Sequence, residues 1–489
     1  MRWRRPHILW LLPLVLIFKM ALAGLAVPRI NLMMSLICRD YVAGRTLKDP
    51  NFIPWPFAIG EHNPPCRIPI IQSKTAQLQL YINLTSGIFS ALVSPWLGLL
   101  SDRHGRTQMI ALGALGAVFD TAIALIVVSY PQQMSVNILL VGAAMDGLGG
   151  SFTATQALIY SYASDCTPPH RRSVTFGLLQ SAQFCGIALG PSGAAYLINN
   201  MGGISLVYTI GLLFHVIFCL VIYSIVPESL SKERQQAARD QHRAKRAESD
   251  PSNATCFSWK ALNPINLIAP LSILLPAVGE PSILFPNHQG ANTSLRRNII
   301  LLATMDTVLF GVVTGTSQVI IIYAEYMFDW GNVESSFYVS IVNAVRALVL
   351  LLVLPIISWF FRTPSDKDDT VLGCDILDIT LIRLSIVCDF VGYIGYAFSK
   401  YSFMVICSGA IASLGSMGVS TLHSSLTKHV SHQRIGHLLG AMGLLHALAR
   451  ILASTLFNLI YSLLVQPYAA AEGSLNDTSI ILLVLAAVV

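Results

Sequence analysis

Charged side chains interrupt the long apolar stretches of this sequence at seven positions. They are Lys19, Asp120, Asp146, Asp306, Arg346, Asp389 and Arg450. One charge at the centre of a membrane helix costs about 2.5–3.5 kcal/mol on insertion scales, so most of the seven should face the interior of a helix bundle. Carboxylates in such a place can carry protons, and guanidinium groups can bind anions.

Two of the carboxylates and one histidine are candidate proton-coupling groups. Asp146 begins the glycine-rich segment 146–150, whose missing side chains leave room for water and for close helix contact. Asp306 begins a polar helix face in the second half of the chain, and His446 shares a face with Arg450. Each group could instead be a permanent ion-pair or packing partner, and both interpretations stay open.

Two of the arginines are candidate substrate-binding groups. Arg346 lies close to Asn343 on one predicted helix, and Arg450 lies on another. Embedded cations favour an anionic or zwitterionic solute, because a guanidinium group forms paired hydrogen bonds with carboxylates. Gln180 and Gln183 are polar candidates in a stretch without Asp or Glu. Both arginines could also be counter-ions that fix helix packing.

The composition of the chain places these charges in a membrane. The 489 residues are 54% hydrophobic and only 11% charged, with a mean hydropathy of +0.62. Soluble domains carry about 25% charged residues, so a cytosolic enzyme and a nucleic-acid-binding protein are excluded. The phosphate-binding loop, H-E-x-x-H and C-x-x-C patterns are missing from the sequence. We therefore expect no enzyme activity, no metal and no cofactor, with the proton gradient as the driving force.

Twelve windows of the sequence are candidate membrane helices, since a helix needs about 20 apolar residues to cross the hydrocarbon core. They lie near 8–30, 77–100, 107–129, 134–163, 173–198, 204–226, 297–322, 336–361, 379–398, 401–423, 435–464 and 477–489. The last window holds 13 residues, which indicates a short helix twelve or a chain that is a fragment. The prediction is an all-α integral membrane protein.

The placement of Lys and Arg predicts that both termini are cytoplasmic. The longest polar stretch, 228–296, separates six windows from six. We predict an N-terminal six-helix bundle over 1–227, a cytoplasmic linker over 228–296 and a C-terminal six-helix bundle over 297–489. Two such bundles suggest the internal duplication of a large transporter class. The sequence does not decide between the plasma membrane and a vacuole-type organelle.

The strongest motif lies between the second and third windows, where Gly98–Arg106 reads GLLSDRHGR. Its glycines allow a sharp turn, Asp102 can pair with a basic residue or a helix N-terminus, and the arginines can pair with acids. Such a cluster can latch one conformation. The predicted latch residues are Gly98, Ser101, Asp102, Arg103, Gly105 and Arg106.

This motif resembles the signature loop between helices 2 and 3 of the major facilitator superfamily, and the topology of the whole chain is similar to that family. The resemblance implies twelve helices in two halves and secondary active transport by alternating access. The corresponding segment of the second half, 362–378, has no clear copy of the motif.

Two further segments resemble groups within that superfamily. The segments 146–150 and 162–177 are similar to the proton-coupled folate transporter and thymic-stromal cotransporter group, which implies uptake by proton-coupled symport. A pattern in the fifth window resembles the antiporter signature, which implies drug–proton antiport. Its residues are Gly177, Gly186, Gly190 and Pro191.

The prediction for function is a secondary active transporter of a small organic solute, coupled to protons. Symport is favoured, with drug–proton efflux and a membrane receptor or scaffold that transports nothing as alternatives. The expected partners are the solute, protons and the lipid bilayer, without nucleic acid, and the protein is expected to be a monomer.

A disulfide is predicted between Cys38 and Cys66. Both share the first outer loop, near 31–75, which faces an oxidising compartment. Two free thiols are the alternative.

Overall fold

The protein is described by a computed structural model over residues 5–48, 66, 69–249, 269–275, 292–328, 330, 332–361, 375–430 and 434–469. All regular secondary structure in these ranges is helical. The first eight α-helices, which we call the N-half, are α1 (Leu11–Gly24), α2 (Ala26–Lys48), α3 (Pro69–His104), α4 (Arg106–Ser129), α5 (Ile138–Leu148), α6 (Ser151–Cys166), α7 (Arg172–Leu197) and α8 (Gly203–Ser224).

The remaining helices follow a linker helix, α9 (Lys232–Ser249). We call them the C-half: α10 (Thr293–Phe328), α11 (Asn332–Leu348), α12 (Leu354–Phe361), α13 (Ile376–Ala397), α14 (Ser402–Ser413), α15 (Ser416–Lys428) and α16 (Ile435–Ala469). A single π-helical turn, Val349–Val353, joins α11 to α12.

Eleven of the twelve predicted windows coincide with these helices, and the window 477–489 lies outside the described residues. Within the described ranges, nine helical stretches are long and apolar enough to cross a membrane. The predicted all-α membrane fold is therefore confirmed. The borders of the linker at 228–296 and the orientation of the termini stay predictions.

The predicted first outer loop at 31–75 is partly helical in the structure. The α2 helix continues to Lys48 and α3 begins at Pro69, so Cys38 lies in a helix instead of a loop. The cause is packing, because Leu32, Met33 and Leu36 are buried beyond the end of the apolar window and extend the helical core.

The helix that holds Asp146 is broken in the middle. Its two parts, α5 and α6, meet at Gly149 and Gly150, and Gly150 has a φ of 86°, which L side chains rarely adopt. The break reorients the chain by a local turn directly after Asp146. It places this carboxylate and the start of α6 on the wall of a cavity.

The two halves pack through α3 against α16, α6 against α16, and α7 against α11 and α15. We call the end of the bundle that bears Gly98–Arg106 the motif end, and the end that bears Cys38 and Cys66 the disulfide end. The functional side chains described next lie at the motif end or between the two ends.

Candidate transport site and gate

A cavity of about 360 Å³ lies among helices α1–α6 and α8 of the N-half and is also lined by Arg450 of α16. Small-molecule sites in proteins span about 300–1,000 Å³, so the space suits a small solute. The charged residues on its wall are Arg29, Asp120, Asp146 and Arg450. The cavity therefore combines a suitable volume with groups of both charges.

Two cations share one aromatic ring beside this cavity. The Nζ of Lys19 lies 4.5 Å from the ring centre of Phe152, and the guanidinium carbon of Arg450 lies 4.9 Å from it. Within the described part of the chain, Lys19 and Arg450 form neither an ion pair nor a hydrogen bond. Because charges removed from water are normally paired, these two cations leave positive charge available to a bound anion.

Asp146 lies on the wall of the same cavity. The Ser86 hydroxyl donates a hydrogen bond of 2.8 Å to its Oδ2, and the carboxylate is within electrostatic range of both cations. The neighbouring glycines are used for packing, because a Cβ on Gly149 would lie 2.6 Å from the carbonyl oxygen of Gly113 on α4. Space for water at Asp146 thus comes from the cavity, and the predicted space within the glycine segment is filled by α4.

Another pair of charges on the cavity wall is mutually satisfied. The Arg29 guanidinium donates hydrogen bonds of 2.6 and 3.0 Å to the two carboxylate oxygens of Asp120. Such a bidentate pair is the strong form of an arginine–carboxylate contact. It ties α2 to α4. Within the described residues, Lys19 and Arg450 have no carboxylate contact of this kind.

Asp306, His423 and His446 meet in the C-half, on α10, α15 and α16. The Nε2 of His446 lies 2.8 Å from Asp306 Oδ2, and the Nδ1 of His423 lies 3.4 Å from Asp306 Oδ1. All three side chains are buried. The structure therefore brings the predicted proton-coupling candidates Asp306 and His446 together, while Asp146 lies in the other half.

Polar side chains of the N-half approach this cluster across the interface. The Tyr160 ring centre lies 5.0 Å from that of His423, and Gln156 donates a hydrogen bond of 3.1 Å to the Tyr160 hydroxyl. Gln180 and Gln183 on α7 are buried beside the same tyrosine. These two glutamines thus line the contact between the halves and not the large cavity.

Arg346 and Asn343 lie on α11, apart from both groups. Arg346 lies over the ring of Phe184 at 5.5 Å, and Asn343 donates a hydrogen bond of 2.7 Å to the Val339 carbonyl of its own helix. Of the two predicted substrate arginines, Arg450 is the one that lines the cavity of the described structure.

The predicted latch residues form a network at the motif end. Arg106 is fully buried, and its guanidinium lies 2.7 Å from Asp102 Oδ1 and 2.8 Å from Asp165 Oδ2 of α6. Asp102 also accepts a hydrogen bond of 3.1 Å from the backbone N–H of His437, at the start of α16. A carboxylate is favoured at a helix N-terminus, so Asp102 connects the two halves.

The other latch residues support this contact. Ser101 accepts a hydrogen bond of 2.6 Å from Arg106, and the carbonyl of Arg103 accepts one of 3.0 Å from Arg239 of α9. Gly105 has a φ of 108°, and a Cβ there would lie 2.6 Å from Glu228 Oε2. The turn between α3 and α4 therefore requires glycine at this position.

The C-half makes a contact of the same kind with the N-half. Lys428 at the end of α15 forms ion pairs with Asp375, at 2.9 Å, and with Asp378 near the start of α13. Ser173 at the start of α7 donates a hydrogen bond of 3.3 Å to Asp378. The end of the segment 362–378 thus takes part in a contact between the halves, although its sequence shows no copy of the motif.

The sequence matches the profile of the Major Facilitator Superfamily over residues 68–454. The protein belongs to this superfamily.

Relatives and solved structures agree with that assignment. The MFS-type transporter avaJ of Aspergillus versicolor is 28% identical over 477 residues, which cover 96% of this chain and 86% of avaJ. The human organic anion transporter MFSD10 (TETRAN) has a TM-score of 0.64 at 15% identity over 99% of this chain and 100% of its own. The proton:xylose symporter XylE has a TM-score of 0.56 at 15% identity, and the match covers 96% of this chain and 94% of XylE.

Membership of the Major Facilitator Superfamily makes the protein a multi-pass membrane transporter of a small solute. The narrower resemblance to the proton-coupled folate transporter and thymic-stromal cotransporter group stays a prediction. So do the coupling ion, the direction of transport, the monomeric state and the membrane in which the protein works.

The glycine pattern on α7 serves helix packing in this superfamily member. A Cβ on Gly186 would lie 2.6 Å from the carbonyl oxygen of Leu16, and Gly190 approaches the backbone of α1 in the same way. Gly177 contacts α12 of the C-half, and Pro191 lies within the helix. These small residues let α7 touch α1 and the C-half at short range.

Cys38 and Cys66 are joined by a disulfide, with their Cα atoms 5.6 Å apart. Both cysteines are buried in the hydrophobic core at the disulfide end. The bond therefore ties the extended α2 to the segment that precedes α3.

Sequence reasoning missed three side chains that complete these groups: His423, Tyr160 and Asp165. The available signal for His423 was a histidine at the end of the tenth apolar window. His446 was selected because it shares a helix face with Arg450, and His423 has no such neighbour in its own window. Asp165 belongs to the segment 162–177, which carries the family resemblance. Its role as the second partner of Arg106 could not be predicted from the sequence, because it depends on how α3 packs on α6.

Proposed function

We propose that the protein transports a small organic anion in symport with protons by alternating access. The observation that carries the proposal is the pair of cations on Phe152, Lys19 and Arg450, which form no ion-pair contact within the described residues. Arg450 and Phe152 line a cavity of about 360 Å³, and Lys19 lies over the same ring.

An anionic substrate would supply the missing counter-charge and touch both halves at once. Lys19 belongs to α1 of the N-half, and Arg450 belongs to α16 of the C-half. A ligand that binds both cations interacts differently with conformations in which the halves are close or apart, and that difference is what shifts a conformational equilibrium. The Phe152 side chain, which lines the same cavity, would contact the carbon part of the ligand.

Asp146 gives this site a way to couple to protons. An ionised Asp146 competes with an anionic substrate for Lys19 and Arg450, and a protonated Asp146 does not. Proton binding and anion binding therefore favour each other, which is the requirement for symport. Antiport of the same anion would need the opposite relation, so the geometry favours symport over drug–proton efflux.

The solved relatives support the proposal only in outline. MFSD10 is described as an organic anion transporter and XylE as a proton:xylose symporter. At 15% identity their likeness concerns the fold, so the substrate class rests on Lys19, Phe152 and Arg450 of this chain.

The test of the substrate class is uptake into proteoliposomes of a radiolabelled panel of monocarboxylates, dicarboxylates, amino acids and organic cations. We expect uptake of one or more anions, and Arg450→Gln should weaken their apparent affinity by about tenfold or more, since a bond to a charged group contributes about 1.5–3 kcal/mol. Arg346→Gln is the matched control and should have a small effect. Uptake restricted to organic cations would contradict the proposal. An equal loss of apparent anion affinity in Arg450→Gln and Arg346→Gln would contradict it as well.

The test of the coupling role is Asp146→Asn, which imitates a permanently protonated carboxyl group. This variant should lose accumulation driven by a pH gradient and keep downhill exchange of the same anion. Asp120→Asn is the control on the same cavity wall, because Asp120 is occupied by Arg29. If Asp146→Asn still accumulates the anion against its gradient, Asp146 is not the coupling group.

A further inference from the structure

A group of potential metal ligands lies in the C-half, outside the cation site. One ligand atom from each of Asp306, His423 and His446 lies within 4.8 Å of the other two, and all three side chains are buried. They come from α10, α15 and α16, so no short sequence pattern announces them. A membrane interior is an unfavourable place for such polar groups unless they have a partner.

Two imidazoles and one carboxylate are a ligand set for divalent transition metals, and zinc accepts it with one position left open. We propose that Asp306, His423 and His446 form a binding site for a divalent transition metal ion of the zinc type. The proposal is independent of the proposed function, because it concerns binding to the protein and not transport.

An unsatisfied oxygen supports the site. Asp306 Oδ1 is buried and has no hydrogen-bond partner in the described part of the chain, although Oδ2 is bonded to His446. A buried carboxylate oxygen without a partner is costly, and a coordinated cation would remove that cost. The His423 Nδ1 lies 3.4 Å from this oxygen, which is too distant for a good hydrogen bond, so His423 does not satisfy it.

The surroundings hold both rings in place, as metal sites require. His423 Nδ1 lies 2.9 Å from the carbonyl oxygen of Val419, a common type of partner for an imidazole that binds a metal through its other ring nitrogen, here Nε2. The Phe310 ring stacks on His446 with ring centres 4.3 Å apart. Both imidazoles therefore have a defined orientation before any ion arrives.

A small cavity of about 10 Å³ adjoins the cluster and offers room for one further ligand, about the volume that one water needs. His423 and His446 line it from the C-half, and Gln156 and Tyr160 line it from the N-half. A water on the metal would therefore touch both halves. Metal binding should favour the conformation in which the two halves are in contact around this small cavity.

The experiment is titration of the purified, detergent-solubilised full chain with Zn²⁺ by calorimetry, and with Co²⁺ by visible absorption. We expect one ion per chain and a Co²⁺ spectrum with nitrogen ligation. Loss of a residue that hydrogen-bonds a metal ligand weakens metal affinity by roughly 10–100-fold. His423→Ala and His446→Ala each remove a ligand itself, so each should weaken Zn²⁺ binding by more than that. His215→Ala is the control, because His215 is a buried histidine of the N-half.

Asp306→Asn keeps the side-chain shape and serves as a second variant in case an alanine variant does not fold, which thermal unfolding would reveal. It should also weaken Zn²⁺ binding. The proposal is overturned if the wild-type chain binds no stoichiometric Zn²⁺, or if folded variants of the cluster bind it as well as His215→Ala does. Neither result bears on anion uptake, so failure here is distinguishable from failure of the proposed function.

Discussion

Two regions of this transporter surround an arginine in opposite ways. At the motif end, Arg106 is fully buried and lies between the carboxylates of Asp102 and Asp165. At the cavity, Arg450 lies on Phe152 beside a second cation, with no ion pair in the described part of the chain. A charge that is fully matched stabilises a contact, whereas an unmatched charge beside open space is suited to a ligand.

Both regions lie where the N-half meets the C-half, so both can affect how the halves move relative to each other. The motif end makes its connection within the protein, through Asp102 and the first turn of α16. The cation site has one charge on each half, so an anion bound to both would connect them. In the proposed cycle, a bound anion therefore supplies a connection between the halves that does not depend on the latch.

The largest expected effect separates the two arginines by stability. Arg106→Ala should lower the free energy of unfolding by about 3–5 kcal/mol, because it removes the guanidinium group that both buried carboxylates pair with. Arg450→Ala should change it by less than about 1 kcal/mol, since it removes a cation–π contact and an unpaired charge. Thermal unfolding of both variants in the same detergent measures the difference. Equal destabilisation would end the distinction between the two regions.

The sequence predicts the charges of both regions but not their partners. The rule that membrane-embedded charges face the bundle interior agrees with the burial of Lys19 and Asp306 and with the position of Asp146 and Arg450 on a cavity wall. It cannot show that Lys19 and Arg450, from the first and eleventh windows, meet on one phenylalanine. That contact depends on how α1, α6 and α16 pack, and apolar periodicity contains no information about it.

The next prediction concerns the carboxylate that makes the latch span the halves. Asp102→Asn should reduce the maximal transport rate by about tenfold, because a hydrogen bond to a charged group contributes about 1.5–3 kcal/mol to the state that it stabilises. The apparent anion affinity should change little, since Asp102 does not line the cavity. Initial-rate uptake in proteoliposomes gives both quantities.

The control for Asp102→Asn is Asp378→Asn, which weakens the corresponding contact of the C-half with Ser173. It should also slow transport and spare affinity if both contacts regulate the same conformational step. A selective loss of affinity in Asp102→Asn would instead place Asp102 at the substrate site.

The fold is more predictable than the site for a physical reason. A membrane span is defined by local composition over about 20 residues, so eleven windows could be placed from the sequence. The extension of α2 to Lys48 could not, because it depends on burial of Leu36 and Cys38 against other helices. The functional groups are combinations of residues from three or more helices, and such combinations require packing to be known.

The smallest expected effect tests whether close backbone contact contributes to the latch beside its charges. A Cβ on Gly98 would lie 2.5 Å from the Gly436 carbonyl oxygen and 2.9 Å from the Gly440 Cα, so Gly98→Ala should push α3 away from α16 at the motif end. Overpacking costs about 1–3 kcal/mol, and about 1 kcal/mol would shift the population roughly fivefold toward an opened motif end.

The measurement is the rate of N-ethylmaleimide labelling of Ala157→Cys, at the buried interface with α16, in a chain that keeps only Cys38 and Cys66 of its own cysteines. Gly193→Ala is the control, because a Cβ there meets nothing within 4 Å. If Gly98→Ala labels no faster than Gly193→Ala, the motif end is held by the Asp102–Arg106 charges alone and the glycine contact contributes nothing to the latch.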